Sequence, residues 1–201
     1  MRRLTLDDIA DPRAYERERA EFRDRVIALK KKRRVAVGPF VTLVFENRDT
    51  IRFQIQEMAR VEKLYSDEAI LHELDTYNPL IPDPGALSAT LFVELTSKDD
   101  LMEWLPKLVG IETAVELRLG ATGDVVRDEV DEEHAEQLTR EDVTASVHYV
   151  RFRLTPAQVD AFGRGPVELA IVHPNYEHAT ALSDDTRAEL ARDLSTEGAD
   201  G

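Results

Sequence analysis

Phe40-Val41-Thr42-Leu43-Val44-Phe45-Glu46-Asn47-Arg48-Asp49 decides the fold, because a strand pattern changes into a helix pattern within these residues. The apolar run 40–45 predicts a mostly buried strand that ends at Glu46-Asn47. Asp49 can cap the helix that follows. The apolar stripe of this helix consists of Ile51, Ile55, Met58 and Tyr65. A buried strand leading into an amphipathic helix is typical of a sheet with helices packed against it.

The same two patterns recur along the rest of the chain. Asp11-Pro12 predicts the start of an N-terminal helix over about residues 12–33, since Asp can cap a helix and Pro is tolerated in its first turn. Further strands are predicted at residues 89–95, 114–119, 146–154 and 167–173, with a short edge strand near Val125-Val126. We therefore predict a single α+β domain over residues 1–194 and a disordered tail at 195–201. Its mainly antiparallel or mixed sheet has about five strands with helices packed on it.

The composition limits the chemistry that the protein can perform. The chain has 201 residues, of which 42% are hydrophobic and 33% charged, and a chain of this length can bury a core without cross-links. It contains no cysteine, which excludes disulfides, thiolate metal sites and cysteine nucleophiles. The sequence requires no cofactor. A metal would have to be an ion such as first-row iron, manganese or zinc, held by His, Asp or Glu.

Charge and hydropathy indicate the cellular compartment of the protein and the classes of partner that it can bind. The net charge is −14, from 40 acidic and 26 basic residues, which disfavours binding to nucleic acid. The basic run 30–34 is interpreted as a solvated helix end and not as a nucleic-acid patch, because positive charge in the last turn complements the helix dipole. Asp7 and Asp8 follow the basic N-terminus at once, whereas a signal peptide would continue with an apolar segment. No apolar stretch reaches the length of a membrane span. We therefore expect a cytoplasmic protein that binds neither nucleic acid nor membranes.

Glu62 interrupts the apolar stripe of the helix after Asp49. A carboxylate on a buried face is costly unless it meets a cation, a metal or several hydrogen-bond donors. Glu62 is therefore a candidate metal ligand or general base. The favoured alternative is that the helix rotates or bends near Ser66, so that Glu62 lies at a rim and pairs with Lys or Arg.

Polar side chains follow one another at four-residue spacing beside that stripe. They are Arg48, Arg52, Gln56 and Arg60. Arginine forks suit carboxylate or phosphate ligands. They equally suit the nearby Glu46 and Glu57, and internal ion pairing is the favoured interpretation.

Glu46, Glu94 and His173 each lie at the far end of a predicted strand. If these ends face a common side, two carboxylates and an imidazole meet, which is the composition of a non-haem metal site. Glu62, Glu94 and His173 are the candidate metal ligands. His148 begins an apolar strand face and is interpreted as a hydrogen-bonded core residue.

Five segments together resemble a known bacterial family over nearly the whole chain. They are Leu4-Thr5-Leu6-Asp7-Asp8-Ile9, Phe45-Glu46-Asn47-Arg48-Asp49-Thr50 with Gln54-Ile55-Gln56-Glu57-Met58, Tyr77-Asn78-Pro79-Leu80-Ile81-Pro82, Ala89-Thr90-Leu91 and His173-Pro174-Asn175-Tyr176. The family is the one labelled domain of unknown function 3501. It brings no functional residues with it. The resemblance implies an association with rubrerythrin-type di-iron proteins and with iron–sulfur oxidoreductases of the heterodisulfide-reductase kind, and hence with redox or oxidative-stress defence.

Two functions follow from these observations. The first is an accessory or binding protein of a redox-iron system, which contacts a rubrerythrin-type or iron–sulfur oxidoreductase partner through the helices of residues 49–77. The second is a small metal-binding protein or enzyme with a Glu/His site. The candidate polar site comprises Glu46, Arg48, Arg52, Gln56, Glu57, Glu62, Glu94 and His173.

Overall fold

Helices and antiparallel strands follow one another without strict alternation, as expected for an α+β fold. The computed structural model describes residues 1–129 and 143–195. In these residues the helices are α1 Pro12–Arg33, α2 Arg48–Glu62, α3 Asp67–Tyr77, α4 Lys98–Trp104, α5 Pro156–Arg164 and α6 Asp184–Leu194. The strands are β1 Arg34–Val37, β2 Val41–Phe45, β3 Ala86–Val93, β4 Val115–Leu119, β5 Asp124–Arg127, β6 Val147–Arg153, β7 Val167–His173 and β8 Tyr176–Ala181.

The strands form two antiparallel sheets that adjoin at both edges. The described strands pair in the orders β1-β2-β3-β6 and β5-β4-β7-β8, four to a sheet. At one seam Asp128 bridges to Phe152 just beyond β5. At the other seam the Tyr176 hydroxyl donates to the carbonyl of Val37 at 2.7 Å. The two sheets therefore surround one core in a barrel-like arrangement.

The turn between β1 and β2 fits closely under the second seam. Gly38 has a φ of +73°, and a Cβ built there would lie 2.6 Å from both the His178 ring and the Tyr176 hydroxyl. Glycine alone combines this backbone conformation with so close an approach. The first sheet can therefore meet β8 at this turn.

The main core lies between the inward faces of the two sheets. Leu43 and Phe152 project from the first sheet, and Leu117 and Leu169 from the second, all with no exposed surface. Burying a side chain of this size contributes about 1.5–3 kcal/mol. Phe162 of α5 adds to the same core. The alternating strand pattern of the sequence thus corresponds to one continuous apolar interior.

Helices α1, α2 and α3 cover the outward face of the first sheet and its surroundings. Every residue of β2 is buried, because helices cover the face that the core does not. Ile51 and Ile55 of α2 pack with Leu74 of α3 and Ile81 in a second apolar cluster. A cavity bounded by α1, α2 and the sheet lies near the end of β2, and it forms part of the candidate functional site.

The fold class is confirmed, whereas the number of strands is larger than predicted. The described residues contain two sheets of four strands in place of one sheet of about five. The predicted helix over 12–33 is α1, and the predicted edge strand near Val125-Val126 is β5. The additional strands are β1, which begins within the basic run, and β8, which lies mostly exposed at a sheet edge. The predicted tail lies, beyond Ser195, outside the described residues.

Within the described ranges, none of the helices combines the length and the apolar character needed to cross a membrane.

Candidate functional site

Helix α2 carries most of the predicted site, and Asn47 caps it. The Asn47 side chain accepts a hydrogen bond from the backbone of Thr50 at 3.0 Å, and the Thr50 hydroxyl accepts one from the backbone of Asn47 at 2.9 Å. This reciprocal capping box satisfies two backbone donors at the start of the helix. Asp49, the predicted cap, instead lies in the first turn, where its negative charge interacts favourably with the helix dipole.

The arginines of α2 face the N-terminal segment of the chain. Arg48 pairs with Asp8, and Arg52 donates to the carbonyl of Asp8 at 2.7 Å and to Glu18 at 2.9 Å. The Arg52 guanidinium also lies 4.7 Å from the centre of the Phe22 ring. These side chains therefore pair internally, with Asp8 and Glu18 as partners and not with Glu46 and Glu57 as predicted.

Gln56 and Glu57 complete this attachment of α2 to α1. Gln56 accepts a hydrogen bond from the backbone of Ala10 at 2.8 Å. Glu57 accepts two hydrogen bonds from Arg19, at 2.7 and 2.9 Å, and one from Tyr15 at 2.7 Å. The hydrogen bonds from Arg19 lower the pKa of Glu57, although partial burial opposes them. Glu57 therefore joins α2 to α1, and Gln56 joins α2 to the segment just before α1.

Glu62 lies exposed at the end of α2, so the prediction that it is driven inward is wrong. The buried stripe ends at Ala59, and the chain leaves the helix at Lys63, whose φ of 57° and ψ of 45° are left-handed. The alternative placement at a rim is correct. Within the described residues, however, Glu62 has no partner among Lys and Arg.

The predicted meeting of Glu46, Glu94 and His173 does not occur. Strands β2 and β3 are antiparallel, so the residues that follow them lie at opposite ends of the sheet, roughly 20 Å apart. Glu94 pairs with Arg34 and accepts from Thr42 at 2.9 Å. His173 belongs to the second sheet and hydrogen-bonds the carbonyl of Val109 at 3.1 Å.

Across residues 1–129 and 143–195, His, Cys, Asp and Glu side chains form no group of three or more that could hold a metal ion. Glu62, Glu94 and His173, the candidate ligands, accordingly occupy three separate parts of the fold.

Glu46 is buried between α2 and the sheet. Its side chain accepts hydrogen bonds from the hydroxyls of Thr50 and Thr90, the latter at 2.7 Å. It borders a cavity of about 240 Å³, which we call the Glu46 cavity. The cavity is lined by Lys30, Glu46, Thr50, Ile51, Gln54, Tyr77, Leu80, Thr90, Phe92, Val147 and Tyr149. Three of the five segments that carry the family resemblance therefore border one space.

Arg33 holds the end of β2 in position behind this cavity. Its fully buried guanidinium donates to the carbonyls of Phe45 at 2.8 Å and Glu46 at 3.1 Å. It also pairs with Glu189 at 3.0 Å and with Asp193 of α6. The interpretation of residues 30–34 as a solvated helix end is thus wrong for Arg33. One signal could have shown this, because position 33 continues the apolar spacing of Phe22, Val26 and Leu29.

A larger apolar groove lies at the other end of α2. This helical groove, of about 590 Å³, is bounded by the start of α1, the last turns of α2 and the start of α3. Ile9, Ala59, Leu64 and Ile70 contribute apolar surface to it. The side chain of Tyr65, which also lines the groove, is 71% exposed, and that of the neighbouring Val61 is 67% exposed.

Comparisons with known proteins agree with the resemblance seen in the sequence. The family model described as protein of unknown function (DUF3501) matches residues 3–194. The crystal structure of a novel protein of unknown function from Burkholderia pseudomallei K96243 is similar, with a TM-score of 0.88 and 37% sequence identity over 96% of this chain and 100% of that one. No curated protein matches the chain. The chain therefore belongs to the DUF3501 family of proteins of unknown function.

Proposed function

We propose that this protein is an accessory protein that binds a redox-iron partner through the helical groove. The observation that carries the proposal is the apolar groove of about 590 Å³ with the exposed Tyr65 in its lining. Contiguous exposed apolar surface is uncommon on a soluble monomer and marks interaction sites.

The groove suits the apolar face of a helix or an extended segment from the partner. Its floor is formed by side chains such as Ile9, Leu64 and Ile70, while Arg60 and Glu16 form an ion pair at its edge. An apolar floor with a polar rim is the usual anatomy of a groove that receives an amphipathic helix.

The class of partner comes from the family resemblance. Rubrerythrin-type di-iron proteins and iron–sulfur oxidoreductases of the heterodisulfide-reductase kind are the proposed partners. The chain itself has no cysteine, so thiolate-bound iron–sulfur centres would belong to the partner. An accessory protein in such a system needs a docking surface but no redox centre of its own.

The proposal is tested by titrating the purified protein with a purified rubrerythrin-type protein and, separately, with a purified iron–sulfur oxidoreductase from the same organism. We expect one of them to bind with a dissociation constant in the micromolar range or below. The variant Tyr65→Lys should weaken binding at least about tenfold, because it places charge at an apolar contact.

Met102→Lys is the matched control, since Met102 lies on α4 and is 68% exposed, close to the 71% of Tyr65. It should bind like the unchanged protein. If neither partner binds, or if Tyr65→Lys binds as well as Met102→Lys, the proposal is wrong.

A further inference from the structure

The Glu46 cavity is independent of the helical groove and is built from several elements. The Glu46-Thr50-Gln54 ridge, which has four-residue spacing, forms one wall. Thr90 of β3 and Tyr149 of β6, which are cross-strand partners, form a second wall that adjoins Glu46. Lys30 of α1 and Tyr77 at the end of α3 contribute the remaining polar groups.

Glu46 presents a carboxylate that is fixed in place. Only 7% of the residue is exposed, and the hydroxyls of Thr50 and Thr90 each donate to one of its oxygens. A carboxylate has about four acceptor positions, so these two hydrogen bonds leave others unused. The described residues include no Lys, Arg or His within 4.0 Å of its oxygens. A buried carboxylate gains most from a cationic partner, which a ligand can supply.

Lys30 provides the opposite charge in the same cavity. It is half-buried and lines the cavity, yet it makes no ion pair or hydrogen bond with any residue that the structure describes. It therefore lies beyond ion-pair distance of Glu46. An anionic group placed near Lys30 would be favoured.

We propose that the Glu46 cavity binds a small zwitterion of the α-amino acid class. Its ammonium group pairs with Glu46 and its carboxylate pairs with Lys30, so that the ligand bridges two charges that do not reach each other. The volume of about 240 Å³ lies below the range of about 300–1,000 Å³ typical of drug-sized ligands, and it suits a molecule of this size.

The remaining lining suits the rest of such a ligand. Gln54 and Tyr77 form no side-chain hydrogen bond with the described residues and can orient polar groups of the ligand. Phe92 and Val147 offer apolar surface for its side chain. Burial raises the pKa of Tyr149, and the neighbouring Tyr77 and Glu46 raise it further, so its hydroxyl stays protonated at neutral pH.

The test measures thermal unfolding of the full chain with each proteinogenic α-amino acid in turn, followed by calorimetric titration of those that raise the melting temperature. A ligand that binds only the folded state raises the free energy of unfolding. The increase grows with the logarithm of the ratio of ligand concentration to dissociation constant. We expect at least one amino acid to bind. Its decarboxylated amine and its deaminated acid should each bind at least about tenfold more weakly, because each lacks one charge.

Lys30→Met and Glu46→Gln should each weaken binding of that amino acid at least about tenfold. Lys30 is partly exposed, so Lys30→Met tests the site even if Glu46→Gln does not fold. Lys31→Met removes an exposed charge one residue further along and should leave affinity unchanged. The proposal is overturned if no amino acid binds, if the amine alone binds as well as the amino acid, or if Lys30→Met binds like Lys31→Met.

Discussion

Arg33 shows how one side chain can join distant parts of this fold. Its guanidinium is fully buried and links the carbonyls at the end of β2 to Glu189 and Asp193 of α6. A buried guanidinium is tolerated only when its donors are satisfied and its charge is balanced. Here the last helix of the chain supplies the balancing carboxylates, so α6 and β2 are positioned together.

Arg33→Met should destabilise the protein by roughly 3–5 kcal/mol, because it leaves Asp193 buried without its cation and leaves Glu189 with Arg192 alone. The free energy of unfolding is measured by urea denaturation at neutral pH. Lys32→Met, at an exposed neighbouring position, should change it by less than about 0.5 kcal/mol. Equal stability of the two variants would show that the buried network does not stabilise the fold.

Asp128 makes stability depend on pH at the seam between the sheets. Burial, opposed by a backbone hydrogen bond and assisted by the nearby Glu112, raises its pKa to about 7. Between its ordinary value of 3.8 and about 7, the folded protein therefore holds a proton that the unfolded chain has lost. Stability from this group is present at the acidic end of that window and is lost as the pH rises.

Asp128→Asn stays neutral and should remove this loss. Urea denaturation across the window should show a smaller decrease in unfolding free energy with rising pH than in the unchanged protein. At a pH above about 7 the variant should be the more stable of the two. Asp124→Asn, at an exposed position of β5, should retain the original pH dependence, and a retained dependence in Asp128→Asn would refute this explanation.

The predictions for single residues succeeded or failed according to where the helices and strands end. Glu62 continues the apolar spacing of α2, but the helix stops there and Lys63 turns away in a left-handed conformation. Glycine or asparagine commonly marks such a turn, and lysine does not, so the sequence contained no sign of it. Glu46 was placed at a strand end correctly, whereas its hydroxyl partner Thr90 depends on the pairing of β2 with β3, which sequence patterns do not specify.

At the scale of elements, α2 determines both candidate sites. Its first turns border the Glu46 cavity and its last turns border the helical groove. The capping box of Asn47 and Thr50 fixes where the helix begins, and with it the direction of Glu46.

Asn47→Ala should destabilise the protein by about 1 kcal/mol, because the side chain that caps the backbone of Thr50 is lost. Asp49→Ala should cost less, about 0.3–1 kcal/mol, since it removes only a favourable charge near the helix dipole. Urea denaturation of the two single variants compares them directly. A larger loss for Asp49→Ala would mean that Asp49, and not Asn47, is the effective cap.

Elements with strong periodicity were predictable from the sequence, and short ones were not. The alternating pattern identified β4, β6 and β7, and capping residues identified α1 and α3. Strand β1 begins at Arg34, within a basic run that resembles a helix end. Strand β8 exposes most of its residues, and its membership of a sheet depends on pairing with β7. Tertiary pairing therefore decided the elements that local pattern missed.

At the scale of the whole molecule, the barrel-like core supports two separate surfaces on its helical side. One is the small cavity around Glu46, and the other is the open apolar groove that Tyr65 lines. The family resemblance led to the hypothesis that the helices of residues 49–77 contact a partner, and the groove lies along them. The antiparallel order of the strands separates Glu46 from Glu94 and His173, so the predicted shared site is replaced by these two surfaces.

Docking through the helical groove is the central claim, and hydrogen exchange measured by mass spectrometry tests it most directly. The amides of residues 56–70 are compared in the free protein and in its complex with the proposed redox-iron partner. We predict slower exchange in this segment. Exchange in α4 should stay unchanged, although its Met102 is exposed to a similar degree as Tyr65. Slower exchange confined to other surfaces, with residues 56–70 unaffected in a complex that does form, would contradict the claim.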